Sequence, residues 1–334
     1  MRRLLPALAF LASATLLPAA KNLEVYFIDV EGGQATLFVS PGGESLLVDT
    51  GWGGNNRRDA ERIAAAAKDA GVKKIDYLVI THYHADHVGG VMQLAEKLPI
   101  RNFVDHGASV EQGKDAEVRF NSYVDSRGKG THILAKPGDR IPVKGLDVKV
   151  LSAGGTVTAS TGKPNPECAN LVKQDADASE NGASLGMLVT FGNFRLLDLG
   201  DLTWNREQEM MCPSNPIGKV DVYLVSHHGA PTSGSPQLVR AIAPRVAIMN
   251  NGARKGGDPS AWKIVRGAPG LEDLWQVHFS VAGGKESNTA DMFIANVDEV
   301  CEGKSLKLTA QNDGSFTVEN RRNKYQKAYP AARR

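Results

Sequence analysis

From residue 23 onward, short apolar runs recur between clusters of turn-forming residues. Runs at 23–30, 35–40 and 44–50 are separated by Glu31-Gly32-Gly33-Gln34 and Pro41-Gly42-Gly43, the pattern of a β-meander. Residues 57–70 are Ala-rich with helical spacing and stop at Gly71. A strand at 75–80, a helix at 88–98 and a strand at 101–105 turn the meander into a β-α-β-α-β succession. The pattern weakens over 107–183, where a polar helix near 115–126 and a strand at 147–151 sit in what reads as an irregular insertion. It resumes with strands at 185–191 and 194–199, a short helix at 205–211, and a strand at 220–226. A helix at 236–243, a strand at 246–250 and a helix at 260–266 follow. Apolar runs at 277–280 and 292–295 and an Asn312-Asp313-Gly314 hairpin turn close the series. No internal repeat or Pro/Ser linker divides the halves, so the expectation is a single α/β (α+β) domain over 21–320. Two mixed sheets facing each other, with helices outside, would bury these strands on both faces.

The first twenty residues depart from this pattern: Arg2 and Arg3 precede an apolar stretch that ends in small residues near Ala19-Ala20. That arrangement predicts a signal peptide over 1–20, hence a secreted or periplasmic protein with no membrane span once it is removed. Cys168, Cys212 and Cys301 show no zinc-finger spacing. In an oxidising compartment, Cys168 and Cys212 are the favoured disulfide pair because both lie in Pro/Asn-rich loops.

Composition, at 42% hydrophobic and 23% charged, excludes a disordered chain, a coiled coil and a polytopic membrane protein. The net charge of +2 conceals an uneven distribution. Two basic residues lie in the first twenty positions and six in a basic C-terminal tail at 321–334, leaving 31 basic against 37 acidic residues, a net of −6, over 21–320. A body of that sign disfavours nucleic acid as a partner relative to a small molecule or phosphoester.

The chemistry concentrates in Thr81-His82-Tyr83-His84-Ala85-Asp86-His87-Val88-Gly89-Gly90, between an apolar strand and a helix. Alternation along an extended strand exit puts His82 and His84 on one side, and the turn into the helix brings Asp86 and His87 to the same cavity. Clustering three imidazoles and a carboxylate without a cation would cost desolvation for no gain. Two such pairs point to two divalent metal ions, zinc first and manganese or iron as alternatives, with a shared acid ligand and a bridging hydroxide as nucleophile.

The motif HYHADHVGG has the HxHxDH form of the metallo-β-lactamase superfamily, which the chain resembles over nearly its whole length after residue 20. Ser45-Leu46-Leu47-Val48-Asp49-Thr50-Gly51 is similar to the family's first motif, and Leu196-Leu197-Asp198-Leu199-Gly200-Asp201 to the motif whose Asp bridges the metals. Val225-Ser226-His227-His228-Gly229, followed by Ser233, resembles the SHHG stretch of the branch that includes the hydrolase domain of ComEC-like competence proteins.

The resemblance implies a four-layer αββα sandwich with the site at one edge. It implies His82 and His84 on the first metal, Asp86 and His87 on the second, Asp201 bridging, and Asp49 orienting a His ligand. The His that family members commonly place upstream of the bridging Asp is missing: no His lies between His132 and Asp201. Glu180, Asp175, Asp177, His106 or water are the alternatives for that place. Downstream, Gly256-Gly257-Asp258-Pro259 stands where the branch has Gly-His-Pro, so the resemblance leaves that ligand place to Asp258 as an oxygen donor or to His227 or His228.

His227 and His228 are the expected proton-transfer or electrophilic groups. Asn251, Arg254 and Lys255, on the Gly-containing loop at 250–257, and Ser233 are expected substrate contacts. The predicted activity is metal-dependent hydrolysis of a phosphoester, most readily a phosphodiester. Lactone or β-lactam hydrolysis and a metal-bound binding module without turnover are the alternatives.

Overall fold

The computed structural model describes residues 22–172, 174–175 and 177–332. The signal peptide expected at 1–20 lies outside the described residues.

The first sheet begins with the meander β1 (Leu23–Phe27), β2 (Thr36–Val39) and β3 (Ser45–Val48) and continues through β4 (Ile75–Val79), β5 (Ile100–Asp105) and β6 (Thr131–Leu134). The chain then crosses to the second sheet through β7 (Arg140–Ile141) and β8 (Asp147–Ala153), with the short β9 (Thr156–Val157) paired on β8. After β10 (Lys163–Pro164) come β11 (Gly186–Phe191) and β12 (Phe194–Asp198). The two-residue β13 (Ser214–Asn215), which pairs with β10, is followed by β14 (Val222–Leu224), β15 (Val246–Met249), β16 (Asp273–His278) and β17 (Ile294–Asn296). Three last strands, β18 (Leu306–Ala310), β19 (Phe316–Asn320) and β20 (Gln326–Tyr329), return to the first sheet beside β1. Strand order is β20-β19-β18-β1-β2-β3-β4-β5-β6 in one sheet and β17-β16-β15-β14-β12-β11-β8-β7 in the other.

Period-two alternation builds the layers. Leu23, Val25, Phe27, Leu46 and Val48 of the first sheet join Leu196, Val222, Val246 and Ile248 of the second in one buried core. Their neighbours turn outward: Tyr26 and Leu47 pack with Ile63 of α1 (Arg58–Asp69), Leu94 of α3 (Val91–Ala95) and Tyr123 of α4 (Lys114–Arg127). On the opposite side Leu197, Ala247 and Met249 pack with α5 (Trp204–Met211), α6 (Pro236–Ile242) and α7 (Pro259–Arg266). The one-turn α2 (Ala85–Val88) precedes α3. The result is the expected αββα sandwich.

Three expectations change. The segment 107–183 is not wholly an insertion: α4, β6, β7 and β8 lie within it and complete both sheets, leaving the stretch after β9 as its irregular part. β6 lies at a sheet edge with Thr131, His132 and Leu134 exposed, so no apolar alternation marks it. The helix expected at 88–98 is split into α2 and α3 at Gly89-Gly90. The boundary at 320 also falls inside the fold. β20 pairs with β19, and buried Tyr329 reaches across to accept from Trp275 Nε1 at 2.9 Å and donate to Asp273 at 2.7 Å. Residues 321–332 are therefore no detached tail: β20 is the outer strand of the first sheet.

Strands β3 to β6 are mutually parallel, as are β14 to β17, with β12 parallel to β14. Asp49, the motif at 81–90, Asp201 and the SHHG turn each follow the carboxyl end of one of these strands, where side chains of open α/β sheets converge on a shared crevice.

Candidate metal centre

Beyond β4 the chain stays extended through His82 and His84, and His82 Nε2 lies 3.0 Å from His84 Nδ1. His82 is fully buried and His84 half-buried at the start of α2. That helix turns Asp86 and His87 back toward the same cavity. It packs tightly on the exit of β3: a Cβ on Gly90 would meet the Thr50 carbonyl oxygen at 2.2 Å.

The second sheet supplies the facing donors. Asp201 follows β12, and Ser226–Gly229 forms a 3₁₀ turn after β14. The ligand atoms of Asp86, His87, Asp201 and His228 lie within 4.8 Å of one another, and all four residues are buried. His87 Nε2 is 3.2 Å from Asp86 Oδ2, from Asp201 Oδ2 and from His228 Nε2. His228 Nε2 is 3.3 Å from Asp86 Oδ2 and 3.5 Å from Asp201 Oδ1. Asp201 also faces the other His pair, with Oδ2 3.8 Å from His82 Nε2, and lies 3.3 Å from His227 Nε2. Asp201 thus meets His82 as well as His87 and His228.

Asp49 fixes the geometry behind these donors. Its Oδ1 accepts from the Thr81 amide at 2.8 Å, and its Oδ2 accepts from the Thr81 hydroxyl and lies against His87 Nδ1, both at 2.7 Å. A carboxylate on Nδ1 holds the proton there and leaves Nε2 as the donor. Asp49, His227 and His228 all adopt left-handed backbone, with φ of 60°, 53° and 54°. Such strain costs on the order of 1–3 kcal/mol per residue and persists where surrounding structure enforces it.

Burial alone would raise the carboxyl pKa of Asp86 and Asp201. The imidazoles of His87 and His228, joined by His227 at Asp201, outweigh that penalty and hold both acids well below the usual carboxylate range. Reciprocally, burial depresses His87 and His228, but Asp201 and Asp86 overcome it and raise both. His82 is driven well down by burial and by His87, and burial pushes His227 to about 4 despite Asp201. The buried acids are therefore ionised and draw positive charge inward, and Asp201 Oδ1 has no hydrogen-bond partner. Two carboxylates and converging imidazole Nε2 atoms suit a divalent transition metal.

The other expected residues divide. Lys255 is at the site, its ammonium against Asp86 Oδ2 and 5.0 Å from the centre of the Trp52 ring. Ser233 Oγ donates to the Asp201 carbonyl at 3.3 Å and lies 3.3 Å from His227 Nδ1, bracing rather than lining the site. His228, expected as a proton-transfer group or as an alternative ligand in place of Asp258, stands among the four converging donors. Asp258 does not: its carboxylate caps α7, accepting from the Ser260 amide at 2.8 Å, so its oxygen is spent on the helix N-terminus. Arg254 is exposed and paired with Glu299, with Nη2 3.0 Å from Oε2, so its charge is already satisfied away from the cluster. Asn251 is buried and donates to the carbonyls of Gly252 and His278, a structural role.

His106 lies outside the four-donor cluster, its Nε2 3.2 Å from Glu180 Oε2. Glu180 is itself a buried hub that accepts from the Tyr83 and Val110 amides and the Ser109 hydroxyl. Burial raises its pKa, but His106 and these donors bring it down to about 2. The loop that it pins carries Glu111, a residue in none of the motifs: Glu111 Oε1 is 2.8 Å from His84 Nε2, leaving Nδ1 to face His82.

Residues 28–164 match the family model described as Metallo-beta-lactamase superfamily. The chain is 30% identical over 183 residues to "ComE operon protein 3" of Bacillus subtilis, covering 54% of this chain and 20% of that one. It is 26% identical over 231 residues to "Recombination protein 2" of Haemophilus influenzae, covering 69% and 24%. A UPF0173 metal-dependent hydrolase of Cupriavidus taiwanensis is 24% identical over 262 residues, covering 75% and 82%. The matches thus span about a quarter or less of the length of the first two relatives.

Proposed function

We propose, from the premise that this chain carries a metallo-β-lactamase superfamily domain, that it is an exported metal-dependent hydrolase acting on a small phosphoester, most readily a phosphodiester. The observation that carries this reading is the convergence of three separate sequence motifs, through Asp86, His87, Asp201 and His228, into one buried donor cluster. His82 and His84 would hold one divalent ion, Asp86, His87 and His228 the other, and Asp201 would serve both. Bound divalent ions supply Lewis acidity and a water of lowered pKa, the requirements for hydrolysis at neutral pH.

The chain's own residues do the rest. Asp49 and Glu111 fix the ring orientation of His87 and His84. His227, pushed to about 4 and so neutral near pH 7, stands at the rim with Thr232 Oγ1 3.2 Å from its Nδ1. Its imidazole is a hydrogen-bonding group for substrate or leaving-group oxygen. Lys255 supplies a cation where an anionic ester would approach.

Beyond His227 opens a cleft of about 430 Å³ lined by Asp175, Asp177, Asn181, Thr203, Trp204 and Thr232. Its acidic and amide groups, with one indole face, suit a small hydroxylated or uncharged leaving group better than a polyanion. The same acidic lining favours, as a second reading, an uncharged lactone or lactam. Export is supported by the Cys168–Cys212 disulfide, which belongs to oxidising compartments.

The test is turnover of a chromogenic phosphodiester, a lactone and a cephalosporin by metal-analysed protein, with His84→Ala and Asp201→Ala as controls. Phosphodiester turnover falling on the order of 10³-fold in Asp201→Ala is expected. Turnover of the lactone or cephalosporin alone would overturn the phosphoester reading, and bound metal without any turnover would leave a binding module.

A further inference from the structure

The same edge of the sandwich holds a second group of metal-binding side chains. Asp29 follows β1, His278 ends β16, and Cys301 lies in the segment leading into β18. Because β1 runs parallel to β3 and β4 through the meander, its carboxyl end meets that of β16 at the edge where the first cluster forms. Asp29 and His278 are fully buried and Cys301 half-buried.

One ligand atom from each lies within 4.8 Å of the others. His278 Nε2 is 2.7 Å from Asp29 Oδ1, and Cys301 Sγ is 3.2 Å from Asp29 Oδ2 and 3.9 Å from His278 Nε2. Arg62 braces the group from behind, its Nη1 donating to Asp29 Oδ2 at 2.9 Å and to Glu31 at 3.3 Å. Gly303 permits that approach, since a Cβ there would meet Arg62 Nε at 2.3 Å. A cavity of about 340 Å³, lined by Asn296, Cys301, Lys304 and Arg322 among others, opens the sulfur side to solvent.

We propose that Asp29, His278 and Cys301 form a mononuclear metal site of their own, separate from the Asp201 cluster, for a thiophilic divalent cation of the zinc class. A thiolate, an imidazole and one carboxylate oxygen are the donor set of such ions, whereas calcium and magnesium select oxygen alone. With Cys301 as thiolate and His278 neutral, the dication meets the charges of Asp29 and the sulfur, while Glu31 is paired with Arg58 and Arg62. Binding releases the thiol proton and the proton shared by His278 and Asp29, while Arg62 keeps the carboxylate oriented. The site offers three protein donors and an open side, so a water or small solvent-borne ligand completes it. Nothing in this assignment depends on the hydrolase reading.

The disulfide makes the test clean, since Cys301 is the free cysteine among the three. Metal-stripped, unreduced full-length protein is titrated with Co²⁺ and followed for the thiolate-to-cobalt charge-transfer band in the near ultraviolet. The wild type is expected to develop the band and bind one more equivalent than Cys301→Ser or His278→Ala, while Asp201→Ala keeps the band. Circular dichroism checks that each variant is folded. Absence of the band in the wild type, or its survival in Cys301→Ser, overturns the proposal; loss of turnover in Asp201→Ala with the band intact separates this site's fate from that of the hydrolytic centre.

Discussion

Two groups of donors share one sheet edge, and they are built by opposite routes. The first draws His82, His84, Asp86 and His87 from six consecutive positions and adds Asp201 and His228 from the facing sheet. The second takes a single residue each from positions 29, 278 and 301. Their charge is handled differently as well. In the first, Asp86 and Asp201 are balanced by imidazoles and by Lys255, a flexible ammonium that a metal can displace. In the second, Asp29 is held by Arg62, a planar guanidinium already committed to Asp29 and Glu31. The difference teaches that the His82–His87 half of the Asp201 centre is a local motif braced by a strand exit, whereas every donor of the Asp29 group comes from a separate stretch of the chain.

The sharpest way to break that comparison is at Tyr329, which belongs to neither group. Its ring stacks on Phe316 at 4.7 Å between centroids, and its hydroxyl joins Asp273 and Trp275 of β16, the strand that ends in His278. Tyr329→Ala is expected to cost about 3 kcal/mol or more of unfolding free energy in a urea titration, the usual penalty for deleting a buried ring. It should also weaken Co²⁺ binding at the Cys301 group more than at the Asp201 centre. Equal weakening of both would show that β16 does not carry the second group independently.

Next in size is Asp49→Asn. The replacement keeps the Thr81 contacts in outline but can present an N–H to His87 Nδ1, which favours the tautomer protonated on Nε2 and removes the donor facing Asp201. Affinity of the Asp201 centre should fall about 10–100-fold, as for other orienting partners of metal-bound His. Competition against a chromogenic chelator reads this directly. The Cys301 group, which makes no contact with Asp49, should hold its metal unchanged.

This contrast also explains what could be read before the fold was known. HxHxDH spells its geometry locally, because strand alternation and one helical turn suffice to converge four side chains. The layers were legible for the same reason: period two in 23–27 and 44–48 dictates two buried faces. Asp258 was misassigned because Asp-Pro-Ser at a helix start spells a cap as readily as a ligand, and only the Ser260 contact decides. Arg254 was misassigned because its partner Glu299 lies 45 positions away. The strand at 147–151 was legible, but β6, β7 and β20 were missed because edge strands carry exposed residues that blur alternation. Glu111 had no signal at all: it reaches His84 only because buried Glu180, 69 positions later, fastens the loop between them.

Glu111 gives the smallest and most discriminating effect. Its Oε2 accepts from Arg119 Nη2 at 3.1 Å while Arg119 Nε donates to the Tyr83 carbonyl, so the carboxylate is anchored to the motif strand itself. Yet His84 and Glu111 are each more than a quarter exposed, and solvent screens their attraction in a way that it does not for the fully buried Asp49–His87 pair. Glu111→Ala should therefore lower affinity by about 10-fold, the lower end for such partners, and only for the ion held by His82 and His84. Glu111→Gln should restore most of it, because the amide oxygen still accepts from His84 Nε2 and leaves Nδ1 as the donor. Graded chelation followed by metal counting distinguishes the two ions: in Glu111→Ala the first equivalent leaves early and the second at the wild-type concentration. Early loss of both would mean that Glu111 supports the whole edge through the 107–111 loop, and the His82–His87 motif would then share the long-range dependence that marks every donor of the Asp29 group.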